Sequence, residues 1–191
     1  MVQMYLEIGK YCIRDWREGD AASIAPHANN RKIWLNLRDA FPHPYTVRDA
    51  EKFISQVTNK DPVTVFAIAT TEEPIGSIGL MPGVDVHRYT AELGYWLAEP
   101  YWGRGIATLA VKALTVFALK ELRFKRIFAE PYATNPASAR VLEKAGFTRE
   151  GLLRANVFKD GEVLDQFLYS YVSRDRGAGS GERASRPVSG D

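Results

Sequence analysis

Pro100-Tyr101-Trp102-Gly103-Arg104-Gly105-Ile106-Ala107-Thr108 lies between a β-rich run at residues 89–98 and a long apolar helical stripe, and its reading decides the fold. Where a strand turns into a helix, the first backbone N–H groups of the helix lack partners and sit at the positive end of its dipole. Two glycines beside them strip bulk from the approach path and tolerate unusual φ values, so a pyrophosphate can reach the amides directly. The same spacing suits a plain helix-start turn, so the flanking sequence has to discriminate. A dinucleotide-binding Gly-x-Gly-x-x-Gly turn is excluded, because the third glycine is missing and the preceding run is expected to be antiparallel.

Downstream, Ile106, Ala110, Ala113, Leu114 and Phe117 mark one face of a central helix whose few polar positions include Lys112, Thr115, Lys120 and Glu121. Upstream, residues 63–69, 75–81 and 89–98 are three β-rich runs separated by turn clusters, an expected antiparallel meander. Earlier still, residues 5–15 read as a first strand, and Asp20 as the cap of a short helix reaching about residue 29. A loop follows, and Thr46 with Asp49 then form a capping box for a helix bearing Ala50, Phe53, Ile54 and Val57. Past the central helix, residues 125–131 give another strand, and Asn135-Pro136 opens a helix that Gly146 closes. Residues 147–156 and 162–172 form a hairpin around Lys159-Asp160-Gly161. The expected order is β α α β β β α β α β β: one α+β domain over residues 1–173, with a twisted mixed sheet of about seven strands and about four helices. Glycine, serine, proline and arginine dominate residues 174–191, which are expected to form a disordered tail.

The 191 residues suit one domain, and a net charge of +2 offers no field to hold nucleic acid or an anionic membrane. A hydrophobic share of 46% supports a full core, which excludes disorder as the main state. The single cysteine, Cys12, excludes an internal disulfide and fits a cytoplasmic setting. It reads as a small buried hydrophobe and not as an acyl-accepting nucleophile, since no His/Asp constellation accompanies it. His27, His43 and His87 are scattered, so no metal site is expected. Neither export nor membrane insertion is expected from the N-terminal residues or from any apolar run.

Residues 92–97, the 101–108 turn, Asn135-Pro136-Ala137-Ser138, Glu143-Lys144-Ala145-Gly146-Phe147 and Gly151 occur in order and at compatible distances. Together they resemble the GNAT superfamily of acyl-CoA-dependent N-acetyltransferases, in particular the RimJ/RimL-like branch that acts on ribosomal-protein N-termini, over roughly residues 8–172. The resemblance implies a sheet whose fourth and fifth strands, at 89–98 and 125–131, splay apart with acetyl-CoA wedged between them. Pantetheine would pair with backbone near Leu97, and the diphosphate would sit on Gly103, Arg104, Gly105, Ile106, Ala107 and Thr108. Asn135 and Ser138 would face the pantetheine and sulfur end. Trp102 stands where many members carry Gln or Arg. Leu142 stands where many carry the tyrosine that protonates the departing thiolate, so Ser138 or a water is the implied substitute.

Acyl transfer to an amine needs a neutral nucleophile, a polarised carbonyl and a proton for the thiolate, and no metal. Glu92, on the strand that would run beside the acyl group, is the expected base, against a reading as a solvent-facing or salt-bridged strand residue. An α-amine, with a pKa of about 7.7–8.0 against about 10.4 for lysine, demands less of a weak base. A protein N-terminus is therefore the leading acceptor. The proline-stiffened loop at residues 34–45 covers the acceptor pocket in the family, which nominates Arg38, Asp39, Phe41 and Tyr45 by position. Lys125, Arg126, Arg149 and Arg154 read either as a solvated face or as partners of the adenosine 3′-phosphate. A small amine acceptor and a non-catalytic acyl-CoA sensor are the alternatives, and monomer and homodimer are both compatible with the sequence.

Overall fold

The computed structural model describes residues 4–174; all but the first residue of the expected tail lies outside the described residues. The chain runs β1 (Tyr5–Ile8), β2 (Tyr11–Arg14), α1 (Asp20–Ala28), α2 (Arg31–Trp34), α3 (Val47–Thr58), β3 (Val65–Ala69), β4 (Pro74–Pro82) and β5 (Thr90–Leu97). It continues through α4 (Ile106–Lys120), β6 (Arg126–Ala129), α5 (Pro136–Lys144), β7 (Thr148–Lys159) and β8 (Glu162–Val172). The strands form one sheet in the order β1-β2-β3-β4-β5-β6-β8-β7. Every neighbouring pair is antiparallel except β5–β6, which is parallel.

The mixed α+β architecture follows the sequence pattern, with two additions. The single strand expected at residues 5–15 folds back on itself, Ile8 pairing with Tyr11, so the sheet has eight strands. Its two-residue turn begins with Gly9 at φ 75°, the region open to glycine. The loop before residue 46 contains the extra short helix α2, whose N-cap Asn30 accepts from the Lys32 N–H at 2.9 Å.

Asp20 is not a cap. Gly19 occupies that position, and the Asp20 carboxylate instead takes Arg14 Nη1 at 2.7 Å, Nη2 at 2.9 Å and the Arg17 N–H at 2.9 Å. Both side chains are buried, and a bidentate buried pair outweighs the cap because an unpaired interior guanidinium is far costlier than an open N-terminus. The Thr46/Asp49 capping box is present, and Asn135 accepts from the Ser138 N–H at 3.1 Å to start α5.

Helices cover both faces of the sheet. On one, α4 buries Ile106, Ala110, Val111, Leu114, Thr115 and Ala118 against Ile13, Ile68, Ile78, Leu80, Leu93 and Ile127. This face is broader than the expected stripe, leaves Phe117 only partly buried and takes in Thr115, whose hydroxyl has no hydrogen-bond partner among the described residues. On the other, α1 and α3 enclose Trp16, Ile24, Ile54, Val57 and Ala67. Phe66 and Ile68 belong to the first core and Ala67 to the second, as period-two alternation requires.

Changing Asp20 to Ala leaves the buried Arg14 guanidinium without its counter-ion and is expected to cost about 3–5 kcal/mol of folding stability. Urea denaturation reads this directly, and a loss below about 1 kcal/mol, the range of exposed pairs, would show that the pair is not the keystone of its corner.

Candidate active site

The anion cradle begins with a change of direction after β5. A single 3-10 turn (Glu99–Tyr101) ends the strand, and Gly103 and Gly105 follow at φ 74° and 76°, conformations that suit glycine. Gly105 is the N-cap of α4 and supplies no side-chain cap, while the first intrahelical bond runs from the Leu109 N–H to the Gly105 carbonyl at 3.1 Å. The Ile106, Ala107 and Thr108 N–H groups therefore point out of the helix end without intrahelical acceptors. A Cβ added at Gly103 or Gly105 would meet no protein atom within 4 Å, so the surface in front of these amides is open. Trp102 pegs the turn by donating its indole N–H to the Leu97 carbonyl at 2.6 Å, and the Arg104 guanidinium lies 5.4 Å from the centre of the Tyr101 ring.

A cleft of about 460 Å³ runs from this cradle into the sheet. It exists because β5 pairs with β6 only from Thr90 to Glu92, opposite Arg126 to Phe128, while β5 continues to Leu97. The Ala98 N–H, just past β5, bonds to the Ile75 carbonyl of β4 at 2.8 Å. By alternation, the main-chain groups of Leu93, Tyr95 and Leu97 turn toward the gap. Gly103, Gly105, Ile106, Ala107 and Thr108 line the cleft with Leu97, Asn135 and Ser138.

Side chains alternate across β5 as well. Leu93, Tyr95 and Leu97 belong to the α4 side, whereas Trp96 packs into the second core and Glu92, two residues before Gly94, shares its face. On the α4 side, Tyr95 Oη lies 2.8 Å from Ser138 Oγ and 3.3 Å from the Ser138 carbonyl. Burial pushes the Tyr95 phenol up to about 12, against the lowering effect of its Ser138 hydrogen bond. Asn135 lines the cleft, but its side-chain oxygen is spent on the α5 cap. Leu142 is fully buried in the core and does not line the cleft.

On the opposite face, Glu92 is hydrogen-bonded and ion-paired to Arg38, whose other terminal nitrogen lies 3.8 Å from Met81 Sδ. Glu130 completes an acidic pair with Glu92. Burial raises its carboxyl first, the Glu92 charge raises it further, and Arg38 partly opposes both. Tyr132 donates to the Leu37 carbonyl at 3.3 Å, its phenol raised by burial and then by Asp39.

The four nominated loop residues part company. Arg38 reaches Glu92, while Asp39 accepts from Lys159 at the β7–β8 turn at 2.7 Å. Phe41 stacks on Tyr45 at 4.7 Å and meets the Trp96 edge at 5.7 Å. Tyr45 is buried in the second core, which pushes its phenol up to about 12.

Tyr95, Glu130 and Tyr132 were not singled out from the sequence. Glu130 stands two residues past Phe128, the parallel partner of Glu92, and so shares that face. Of the basic residues, Arg126 is taken by Glu150 at 2.7 Å and Arg149 lies 4.2 Å from the centre of the Phe167 ring. Arg140 and Lys144, one turn apart on α5, line the cleft instead.

The arrangement has the chemistry to hold a diphosphate ester with a long polar arm: free amides at a helix start, two glycines before them and a strand edge beyond. Changing Gly105 to Trp fills the open side of the cradle and is expected to abolish acetyl-CoA binding in titration calorimetry. An unchanged dissociation constant would remove the turn from the binding site.

A family model described as "Acetyltransferase (GNAT) domain" matches residues 10–148. Probable N-acetyltransferase YjcK of Bacillus subtilis is 35% identical over 136 residues, covering 69% of this chain and 75% of the relative. The ribosomal-protein-serine acetyltransferase of Escherichia coli is 32% identical over 108 residues, 56% of this chain and 60% of that protein. Among solved structures, Mycobacterium smegmatis RimJ in complex with CoA-disulfide superposes with a TM-score of 0.79 at 23% identity, over 91% of this chain and 88% of that one. With a matching family model over most of the domain and a fold to go with it, the chain belongs to the GNAT acetyltransferase family and is an acetyl-CoA-dependent N-acetyltransferase.

Proposed function

We propose that this enzyme acetylates the α-amine of a protein N-terminus by direct transfer in a ternary complex, in the cytoplasm. The observation that carries the reading is the cleft that brings the anion cradle and Ser138 together with residues 32–37, beside which the Glu92/Glu130 pair stands on the other face of the sheet. Acetyl-CoA supplies the activated thioester. The amides of residues 103–108 hold its diphosphate, the β5 edge from Leu93 to Leu97 takes its pantetheine arm, and Arg140 and Lys144 meet its 3′-phosphate.

Tyr95, with its phenol raised to about 12, keeps its proton near neutral pH and anchors Ser138 by hydrogen bonding. Ser138 then passes its proton to the departing thiolate as it takes one from the Tyr95 phenol, which is reprotonated from water. Glu130 accepts the ammonium proton, because a carboxyl raised above the ordinary value of about 4.3 is better matched to an α-amine at about 7.7–8.0. Glu92 serves the same step by keeping a negative charge beside Glu130 and the entering ammonium, held in place by Arg38. The buried Cys12 does not line this cleft, which favours direct transfer over an acyl-cysteine. Arg38 at the acceptor side disfavours polyamines, and the E. coli relative named as a ribosomal-protein-serine acetyltransferase supports a protein acceptor.

Free-thiol release from acetyl-CoA, with short N-terminal peptides assayed beside polyamines and aminoglycosides, tests the acceptor. Peptide-dependent release is expected; release with small amines alone would overturn the assignment, and tight cofactor binding without release from any acceptor would favour a sensor. Activity is expected to fall as pH drops through the raised Glu130 pKa, since the base must be ionised. Glu92→Gln removes a charge that raises Glu130, so the acidic limb should move to lower pH while turnover falls and acetyl-CoA affinity holds. An unmoved limb in the pH profile of kcat/KM would separate Glu92 from the base.

A further inference from the structure

Lys159 ends β7 at the tip of the final hairpin, remote in sequence from the acceptor loop, yet only 2% of it is exposed. Its Nζ lies 2.7 Å from Asp39 Oδ1 and 3.7 Å from the centre of the Trp34 ring. Both partners belong to the segment at residues 31–43. Burying an ammonium is costly unless it is paired, and a methionine would fill the same volume without that cost. The charge is therefore compensated only while this segment is docked on the hairpin.

The contact is reinforced from both sides. Asp160, the next residue, pairs with Arg31 at 2.6 Å, Arg31 lies 5.5 Å from the Trp34 ring centre, and His43 stacks on the same indole at 5.6 Å. The segment so held carries Leu37, whose carbonyl is bound by Tyr132, and Arg38, which holds Glu92. Asp39 is the neighbour of Arg38, so fixing one fixes the backbone of the other.

We propose that Lys159 is a positioning residue for the acceptor side of the reaction, a clamp that ties the β7–β8 tip to residues 31–43 and thereby sets Arg38 against Glu92. The proposal rests on the reading of residues 31–43 as the acceptor wall. It assigns Lys159 no contact with the reacting atoms.

The test compares wild type, Lys159→Met, which keeps the aliphatic stem, and Lys159→Arg, which keeps a cation able to stack on Trp34 and bond Asp39. Three quantities are read: KM for a short serine-initiated peptide, the acetyl-CoA dissociation constant, and hydrogen exchange of residues 31–43. Lys159→Met should raise the peptide KM by about tenfold and speed exchange in the segment, with a smaller loss of acetyl-CoA affinity, about threefold, because Lys32, Ile33, Asn36 and Leu37 also line the cleft. Lys159→Arg should restore most of both effects. An unchanged KM, or a parallel loss of acetyl-CoA affinity, would overturn the proposal. If wild type accepts no peptide, the N-terminal acceptor reading fails on its own. Exchange then decides the clamp: faster exchange in Lys159→Met upholds it, and unchanged exchange overturns it.

Discussion

β5 and β6 bond to each other only where Thr90, Ala91 and Glu92 face Arg126, Ile127 and Phe128; past that point β5 runs on to Leu97 with one edge bare. Unpaired main-chain groups turned into a cleft are costly, on the order of 1–3 kcal/mol each when shut off from water. The fold compensates in part at the far end, where the Trp102 indole covers the Leu97 carbonyl. The rest of the edge is an incomplete ladder, open to a ligand with amide-like groups. The cradle at residues 103–108 is the continuation of that edge, since the chain that leaves β5 turns directly into the exposed start of α4.

The division of labour at the site follows from strand geometry. Successive side chains on β5 point to opposite faces, so Tyr95 meets Ser138 beneath α4 and α5 while Glu92 meets Arg38 on the other side. Phe128, the parallel partner of Glu92, carries the same alternation to Glu130. Two carboxylates on one face repel each other, and Arg38 relieves the pair from above. This face of β5 is then set by electrostatics as much as by packing.

Local signals were legible in the sequence where one residue type has one physical use. The Thr46/Asp49 box, the Asn135-Pro136 helix start and the Asp160-Gly161 turn all stand where their chemistry demands. What the sequence hid depended on partners far along the chain. Asp20 resembles a cap until the buried Arg14 claims it, and Tyr45 resembles a loop aromatic until α1 and α3 enclose it. The extra strand was masked because residues 5–15 are β-like throughout, and only Gly9 marks the reversal. Glu130 was hidden for a different reason: its environment is set by the register between two parallel strands, which no short motif encodes.

Although Ser138 and Glu92 lie on opposite faces of β5, the two sides meet at the cleft, which Lys32, Ile33, Asn36 and Leu37 line together with Gly103, Gly105 and the start of α4. Substitutions in residues 31–43 therefore reach the cradle as well, since Lys32 pairs with Glu99 in the turn that leads into α4. The segment thus serves as a shared wall, and a change on one side of β5 is felt on the other.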